Sequence, residues 1–355
     1  MPGTGPVPGR SHGGPAEAAP GVEAVLAQAL ARLSRTVGFD AARAMAYDPD
    51  VLIPVSFAAS GPLLDWEHTV AACRNEQAEA DVHKFADLAQ SRLHVAVMTA
   101  DSAEARQSPR WQKLILPDGF RHELRAVAVD DHGRCWGSVA AFRDGRRAFT
   151  EKDTAAAGRD LGQVAARLSR AMAGGGTVPA PGHAASLWLS DAGELLSATS
   201  TAREWLDRLR IPEMPARADA VLTGLAVRVA ASLGRSGPDG VVRPVSVRAR
   251  GAQGEWIVLH GEPITGLDGQ AQGIGVVIGP ARSGTVLPVL AAAYGLTSRE
   301  QEVVRCVFAG LSTREIAVRL RISSYTVQDH LKAIFAKVGV NSRGELSHHL
   351  ALQFA

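Results

Sequence analysis

Three capping boxes fall within residues 295–355, and no other stretch of this 355-residue chain restricts its fold so tightly. Thr297-Ser298-Arg299-Glu300, Ser312-Thr313-Arg314-Glu315 and Ser342-Arg343-Gly344-Glu345 each pair an N-cap hydroxyl with a glutamate three residues on. That spacing lets side chain and backbone satisfy each other at a helix start. After the first box, Val303, Val304, Val307 and Phe308 recur at helical spacing, and Gly310 supplies a stop. The second box opens a short helix with Ile316, Ala317 and Leu320 inward. Arg321-Ile322-Ser323 then reads as a tight turn.

The helix after that turn differs from its neighbours. Ser323 or Ser324 can cap it, but Thr326 or Val327 stands where a capping box needs an acid. A helix N-terminus without an acid suits a phosphate oxygen. Val327, Leu331, Ile334 and Val338 make its inward stripe. Tyr325, Gln328, Asp329 and Lys332 make the opposite, hydrogen-bonding stripe. A short helix, a three-residue turn and a helix with a polar stripe describe a helix-turn-helix. Charge agrees: from Gly295 onward eight basic residues face five acidic ones, while the rest of the chain is nearly balanced. A local positive excess permits an anionic partner.

The string from Leu296 to Leu346 closely resembles the LuxR-type helix-turn-helix. The resemblance rests on LT-x-RE, AGLS, EIA, IS-x-x-TV, H-x-x-x-I and K-x-GV-x-SR. It implies a sequence-specific, DNA-binding transcriptional regulator, with recognition helix 324–337 in the major groove of double-stranded DNA. Val327, Gln328, Asp329 and Lys332 are then expected at base edges. Arg314, Ser324, Thr326, His330, Lys337 and Arg343 are expected at the DNA backbone. Many family members carry Lys where this chain has Gln328, so the operator does not follow from the resemblance. The family dimerises through its last helix, which points to Leu346, Leu350 and Phe354 and to a homodimer on split half-sites. Glu300 and Glu315 read as caps.

Upstream, Ala173–Gly182 (AGGGTVPAPG) is the clearest boundary. Before it lie a Gly/Pro/Ala tail (1–20) expected to be disordered and a helix from Val22. Strands are expected over Ala41–Tyr47 and Leu52–Phe57. A continuous helical region is expected over Asp65–Gln90. A hairpin (120–130, 135–142) and a helix over about 150–172 follow. After the boundary come strands 186–189 and 194–198, helices 200–209 and 219–232, and strands 243–250, 255–263 and 272–278. Gly279–Gly284 reads as a second linker. The first block, with WGSVAAFRDGRRAF and a long terminal helix, resembles a GAF domain. The second, with SLWLSDAGELLSAT and a closing meander, resembles a PAS domain. The expected organisation is multidomain: two α+β domains (21–173, GAF-like; 184–282, PAS-like) and an all-α four-helix domain (283–355), with linker 174–183. Such folds enclose small ligands or relay signals, so an unidentified small-molecule effector fits this arrangement.

Other classes recede. No apolar run approaches the ~18 residues of a membrane helix, and the N-terminus lacks a signal-peptide pattern. The chain reads as cytoplasmic. Cys73, Cys135 and Cys306 are far apart, which argues against disulfides or a zinc site. No GxxxxGK[ST], HExxH, GxSxG or GxGxxG occurs, so no enzyme chemistry, metal site or cofactor is evident. His260 reads as a satisfied structural histidine, with haem ligation as the alternative. Cys73 and Cys135 read as small buried side chains, with redox sensing as the alternative. Trp111, Trp136, Trp188 and Trp256 read as core. The competing function is a ligand-binding or relay module whose helical C-terminus contacts protein rather than DNA.

Overall fold

A computed structural model describes residues 20–62, 66–145, 147–174, 182–210, 217–233 and 244–351. The expected tail and most of the expected linker lie outside them.

The first α+β region runs α1 (Val22–Thr36), β1 (Ala41–Asp48), β2 (Ile53–Ser60), α2 (Trp66–Ala78), α3 (Phe85–Gln90) and β3 (Val95–Thr99). It continues with α4 (Ala103–Gln107), a π-helical turn at Trp111–Ile115, β4 (His122–Val129), β5 (Cys135–Arg143) and α5 (Glu151–Ala173). The strands form one antiparallel sheet in the order β2-β1-β5-β4-β3. Helices α1 and α5 cover one face, against Ala42, Ala44, Ala46, Ala126 and Ala141. These small side chains let the helices come close. At Gly137 a β-carbon would lie 2.7 Å from the Leu168 side chain.

The segment from α2 to the π-helical turn covers the opposite face, burying Tyr47, Phe85, Trp111 and Phe142. Both faces being covered, the charged side of β4 is interior. Glu123 accepts from Arg110 at 2.9 Å and from Arg125 at 3.2 Å. Arg125 also pairs with Glu76 and stacks on Phe85. Burial alone would raise the Glu123 carboxyl, but the two guanidinium groups outweigh it and hold it below the usual range. Its contribution is therefore complete above the unfolded carboxyl pKa, about 4.3, and is lost as pH falls through the lower folded value. Glu123→Ala leaves two buried cations short of a partner. It should cost about 3–5 kcal/mol in denaturant titrations at pH 7. Loss below ~1 kcal/mol would mean the cluster carries no stability.

The expected helix over 65–90 is interrupted. Asn75 donates to the Glu79 and Asp81 carboxylates, Glu76 accepts from the Phe85 amide, and His83 adopts φ 54°. Polar side chains capture the backbone between α2 and α3, which periodicity does not register.

The second α+β region runs β6 (Ala185–Leu189), β7 (Leu195–Ala198), α6 (Ser200–Leu209), α7 (Arg217–Leu233), β8 (Val245–Arg250), β9 (Trp256–Thr265) and β10 (Ala271–Pro280). Its antiparallel order is β7-β6-β10-β9-β8. Helix α7 packs on β8 and β9, and also on α2 and β2 of the first region. Three arginines span the junction. Arg217 donates to Val55 O at 2.6 Å and to Arg250 O at 2.7 Å. Arg250 donates to Met172 O, capping the end of α5, and stacks on Trp256. Arg248 binds Asp48 through three hydrogen bonds of 2.7–2.9 Å, and Asp50 at 2.6 Å.

The expected linker 279–284 is replaced by the end of β10 and by α8 (Ser283–Ala293). Val286, Leu287, Val289 and Leu290 are all buried, so packing overrides the helix-breaking Gly284 and Pro288. Trp188 corrects its assignment to the core. It is 42% exposed on the outward side of β6, opposite Gly275. Trp111, Trp136 and Trp256 are buried, as expected. Cys73 and Cys135 are buried and burial pushes each thiol up to about 12, so neither presents a thiolate. His260 pairs with the Ser246 hydroxyl at 2.7 Å, as a structural histidine would. Among the described residues no group of three or more His, Cys, Asp or Glu is placed to hold a metal, and no helix is long and apolar enough to cross a membrane.

Candidate nucleic-acid interface

The last region contains α9 (Ser298–Phe308), α10 (Thr313–Leu320), α11 (Ser324–Val338) and α12 (Arg343–Ala351). Two of the capping boxes close fully. Glu300 accepts from the Thr297 amide and Glu315 from the Ser312 amide, both at 2.7 Å. The third is shifted: Ser342 accepts from the Glu345 amide, while the Glu345 carboxylate reaches the Asn341 amide instead. Between α10 and α11, Arg321 takes the left-handed conformation at φ 54°. This residue closes the tight turn without a glycine.

Ser323, rather than Ser324, caps α11, accepting from the Thr326 amide at 3.0 Å. No acid lies in the first turn of α11. Its leading backbone amides keep their positive end unopposed. Gln328, Asp329 and Lys332 all project to solvent on one stripe, together with Tyr325, which is 71% exposed. Lys332 lies 3.8 Å from Asp329, a loose exposed pair that leaves the ammonium available. Arg314 and Ser324 are exposed, and His330 is half-buried.

Two expected roles are corrected, those of Val327 and Leu346, and two further site residues have partners within the domain. Val327 has no exposed surface. It sits in the core with Leu331 and Ile334, one helical step from the reading stripe. Leu346 is likewise fully buried, because the short α12 must close the core over α9 and α11. Lys337 commits its ammonium to both Glu300 oxygens, at 2.7 and 2.9 Å, and to Gly295 O. Burial alone would raise the Glu300 carboxyl, but Lys337 and the capping bonds outweigh it and hold it low. Arg343 donates to Leu311 O and is half-buried. Lys337 and Arg343 thus each tie one helix of the domain to another segment, while Lys337 remains exposed at the surface. Thr326 shares its hydroxyl with Ser323 at 2.8 Å. The side chains of Leu350 and Phe354 lie outside the described residues.

Sequence reasoning placed Tyr325 on the stripe but gave it no role. It gave none to Arg321 either, whose exposed side chain stands at the turn. The demand for a left-handed residue in so short a turn was the available signal.

Residues 295–350 match the family described as bacterial regulatory proteins, luxR family. An HTH-type transcriptional regulator of Mycobacterium tuberculosis is 51% identical over 51 residues, 14% of this chain and 6% of that protein. The HTH-type transcriptional regulator GfsR of Streptomyces halstedii is 38% identical over 80 residues, 19% of this chain and 31% of that protein. The chain therefore spans well under two thirds of these relatives. Among solved structures, the VqmA–ligand–DNA complex of Vibrio cholerae gives a TM-score of 0.22 at 20% identity, over 48% of this chain and 81% of that one. Escherichia coli SdiA gives 0.29 at 13%, over 94% and 90%. Neither superposition is close enough to carry a fold across to the first two regions. The C-terminal match, the four-helix order and the capped turn agree on one point: residues 295–350 form a LuxR-family helix-turn-helix domain.

Proposed function

We propose that this chain is a sequence-specific, DNA-binding transcriptional regulator. The observation that carries this reading is the outward stripe of Tyr325, Gln328, Asp329 and Lys332 on a helix whose N-terminus no acid neutralises. Gln328 offers the amide pair that suits adenine N6 and N7. Asp329 accepts from cytosine N4, and Lys332 donates to guanine O6 and N7. Arg314, Ser324 and the leading amides of α11 supply phosphate contacts that set register. His330 and Thr326 stand at the edge of that surface.

In this proposal the first two regions are sensory, GAF-like over 21–173 and PAS-like over 184–282. An effector changes the population of arrangements that present α11 to DNA. The active form is a homodimer. With Leu346 internal, its contact falls to the outer side of α12 or to the sensory regions.

Selection of bound fragments from sheared genomic DNA, across a salt series, tests the proposal. The expected result is a shared split motif, with affinity falling steeply as salt rises. Absence of binding at low salt would return the C-terminal domain to a protein-contact role.

A further inference from the structure

A cleft of about 250 Å³ opens between α9 and α10. Glu302, Arg305, Cys306 and Ala309 line it from α9, and Arg319 and Leu320 from the end of α10. The four α9 residues recur at steps of three and four, so they share one face of that helix. Among the described residues, none of α11 lines it.

Charge in this cleft is uneven. Glu302 pairs with Arg299 at 2.5 Å, and Arg299 also donates to Leu320 O at 2.6 Å, so the acid in the wall is held in place. Arg305 and Arg319 are both exposed. Among the described residues, neither guanidinium forms a hydrogen bond or an ion pair. The floor is apolar: Cys306 is 5% exposed, and Leu320 is half-buried.

We propose that this cleft docks an acidic segment of a partner protein, one apolar side chain resting on Cys306 and Leu320 and its carboxylates meeting Arg305 and Arg319. The docking itself stands apart from the DNA reading. That the partner sits there while α11 holds DNA rests on that reading.

Size and charge select this occupant. The volume falls below the roughly 300–1,000 Å³ of small-molecule sites and suits a single side chain. A guanidinium pairs with a carboxylate through two parallel hydrogen bonds, and arginine is the cation enriched where proteins meet. A phosphate backbone would match the two arginines, but it carries no side chain to fill the floor.

Position separates the cleft from the DNA surface. Successive residues of an α-helix advance by about 100°, so Arg319 lies about 140° around α10 from Arg314. Ile316 and Ala317 form the buried side of the same helix, and the two arginines border opposite flanks of its exposed side. A partner on Arg319 therefore leaves the Arg314 flank open to a phosphate.

Fluorescence anisotropy of labelled peptides on the full chain tests the proposal, at about 0.15 M salt, where attraction between exposed charges is screened. The probes are short glycine-serine peptides carrying one leucine between two glutamates, at spacings from adjacent to four residues away. Controls replace both glutamates by glutamine, or the leucine by serine. The expected result is saturable binding by at least one probe. That binding should weaken at least tenfold with glutamine, at least threefold with serine, and at least tenfold in Arg305→Gln with Arg319→Gln. Both arginines are exposed, so this variant should melt with the parent, and a melting scan checks it. Arg314→Ala with Lys332→Ala, or saturating selected DNA, should leave peptide affinity within twofold. No saturable binding, equal binding of either control, or unchanged affinity in Arg305→Gln with Arg319→Gln overturns the docking site. Displacement of the peptide by DNA places it on the reading stripe and overturns the site as well. Loss of DNA affinity in that variant, without peptide binding by the parent, makes the arginines phosphate contacts and overturns the proposal. Peptide binding by a chain that selects no DNA overturns the DNA reading and leaves the cleft standing.

Discussion

Replacing Arg314 and Lys332 with alanine together should weaken specific DNA binding about 10²- to 10³-fold, while the melting curve stays within experimental spread of the parent. Both side chains are exposed, and neither supports the domain core. Substitutions at such positions usually move stability by less than about 0.5 kcal/mol. At DNA the two losses differ in kind. In the proposed complex Lys332 reads a base edge, so its removal should cost about 1–3 kcal/mol and relax the motif at one position. In the same complex Arg314 neutralises a phosphate, so its removal should weaken binding to all sequences and lower the salt slope by about 0.9. Single variants separate these effects in a fluorescence-anisotropy salt series. Unchanged affinity in the double variant would remove α11 from the reading role.

Arg248→Ala should destabilise the two sheet regions by about 3–5 kcal/mol, a loss as large as that expected for Glu123→Ala. Asp48 has no exposed surface and Arg248 is 5% exposed, so the change strands a carboxylate in the interior. It also frees Asp50 and Thr285 O. Denaturant unfolding followed by tryptophan fluorescence measures the loss. Asp48→Leu with Arg248→Met replaces the pair by apolar side chains of similar size and should recover most of it. A loss in Arg248→Ala below about 1 kcal/mol would show that the pair does not join the regions. A double variant as unstable as the single one would assign the damage to packing instead.

The helix-turn-helix was legible because its signals are local. A capping box, a helix stop and an inward stripe each lie within a few residues, so they are written in order along the chain. The same locality explains the errors there. Val327 and Leu346 carry spacing that fits either an inner or an outer role, and only the packing of α12 over α9 and α11 places both inside. Lys337 and Arg343 are cations at family-typical positions. Their partners, Glu300 and Leu311 O, lie 37 and 32 residues away. Distance along the chain, not chemistry, hid those partners.

For the sheet regions the sequence determined most strands and the helices α1, α5, α6 and α7, because alternation and amphipathic spacing are one-dimensional signals. It did not determine the break between α2 and α3, nor α8. In the first, polar side chains bond to the backbone across a turn. In the second, burial of four apolar side chains outweighs a glycine and a proline. Alternation marked β4 as a strand, but whether Glu123 and Arg125 meet water or one another depended on a second layer closing over them. Likewise, Asp48 and Arg248 are 200 residues apart, and no pattern along the chain pairs them. Local periodicity sets which segments become helices and strands. Which charges are buried, which cavities remain and which surface faces a partner are set when those segments pack, because they depend on neighbours the sequence places far away.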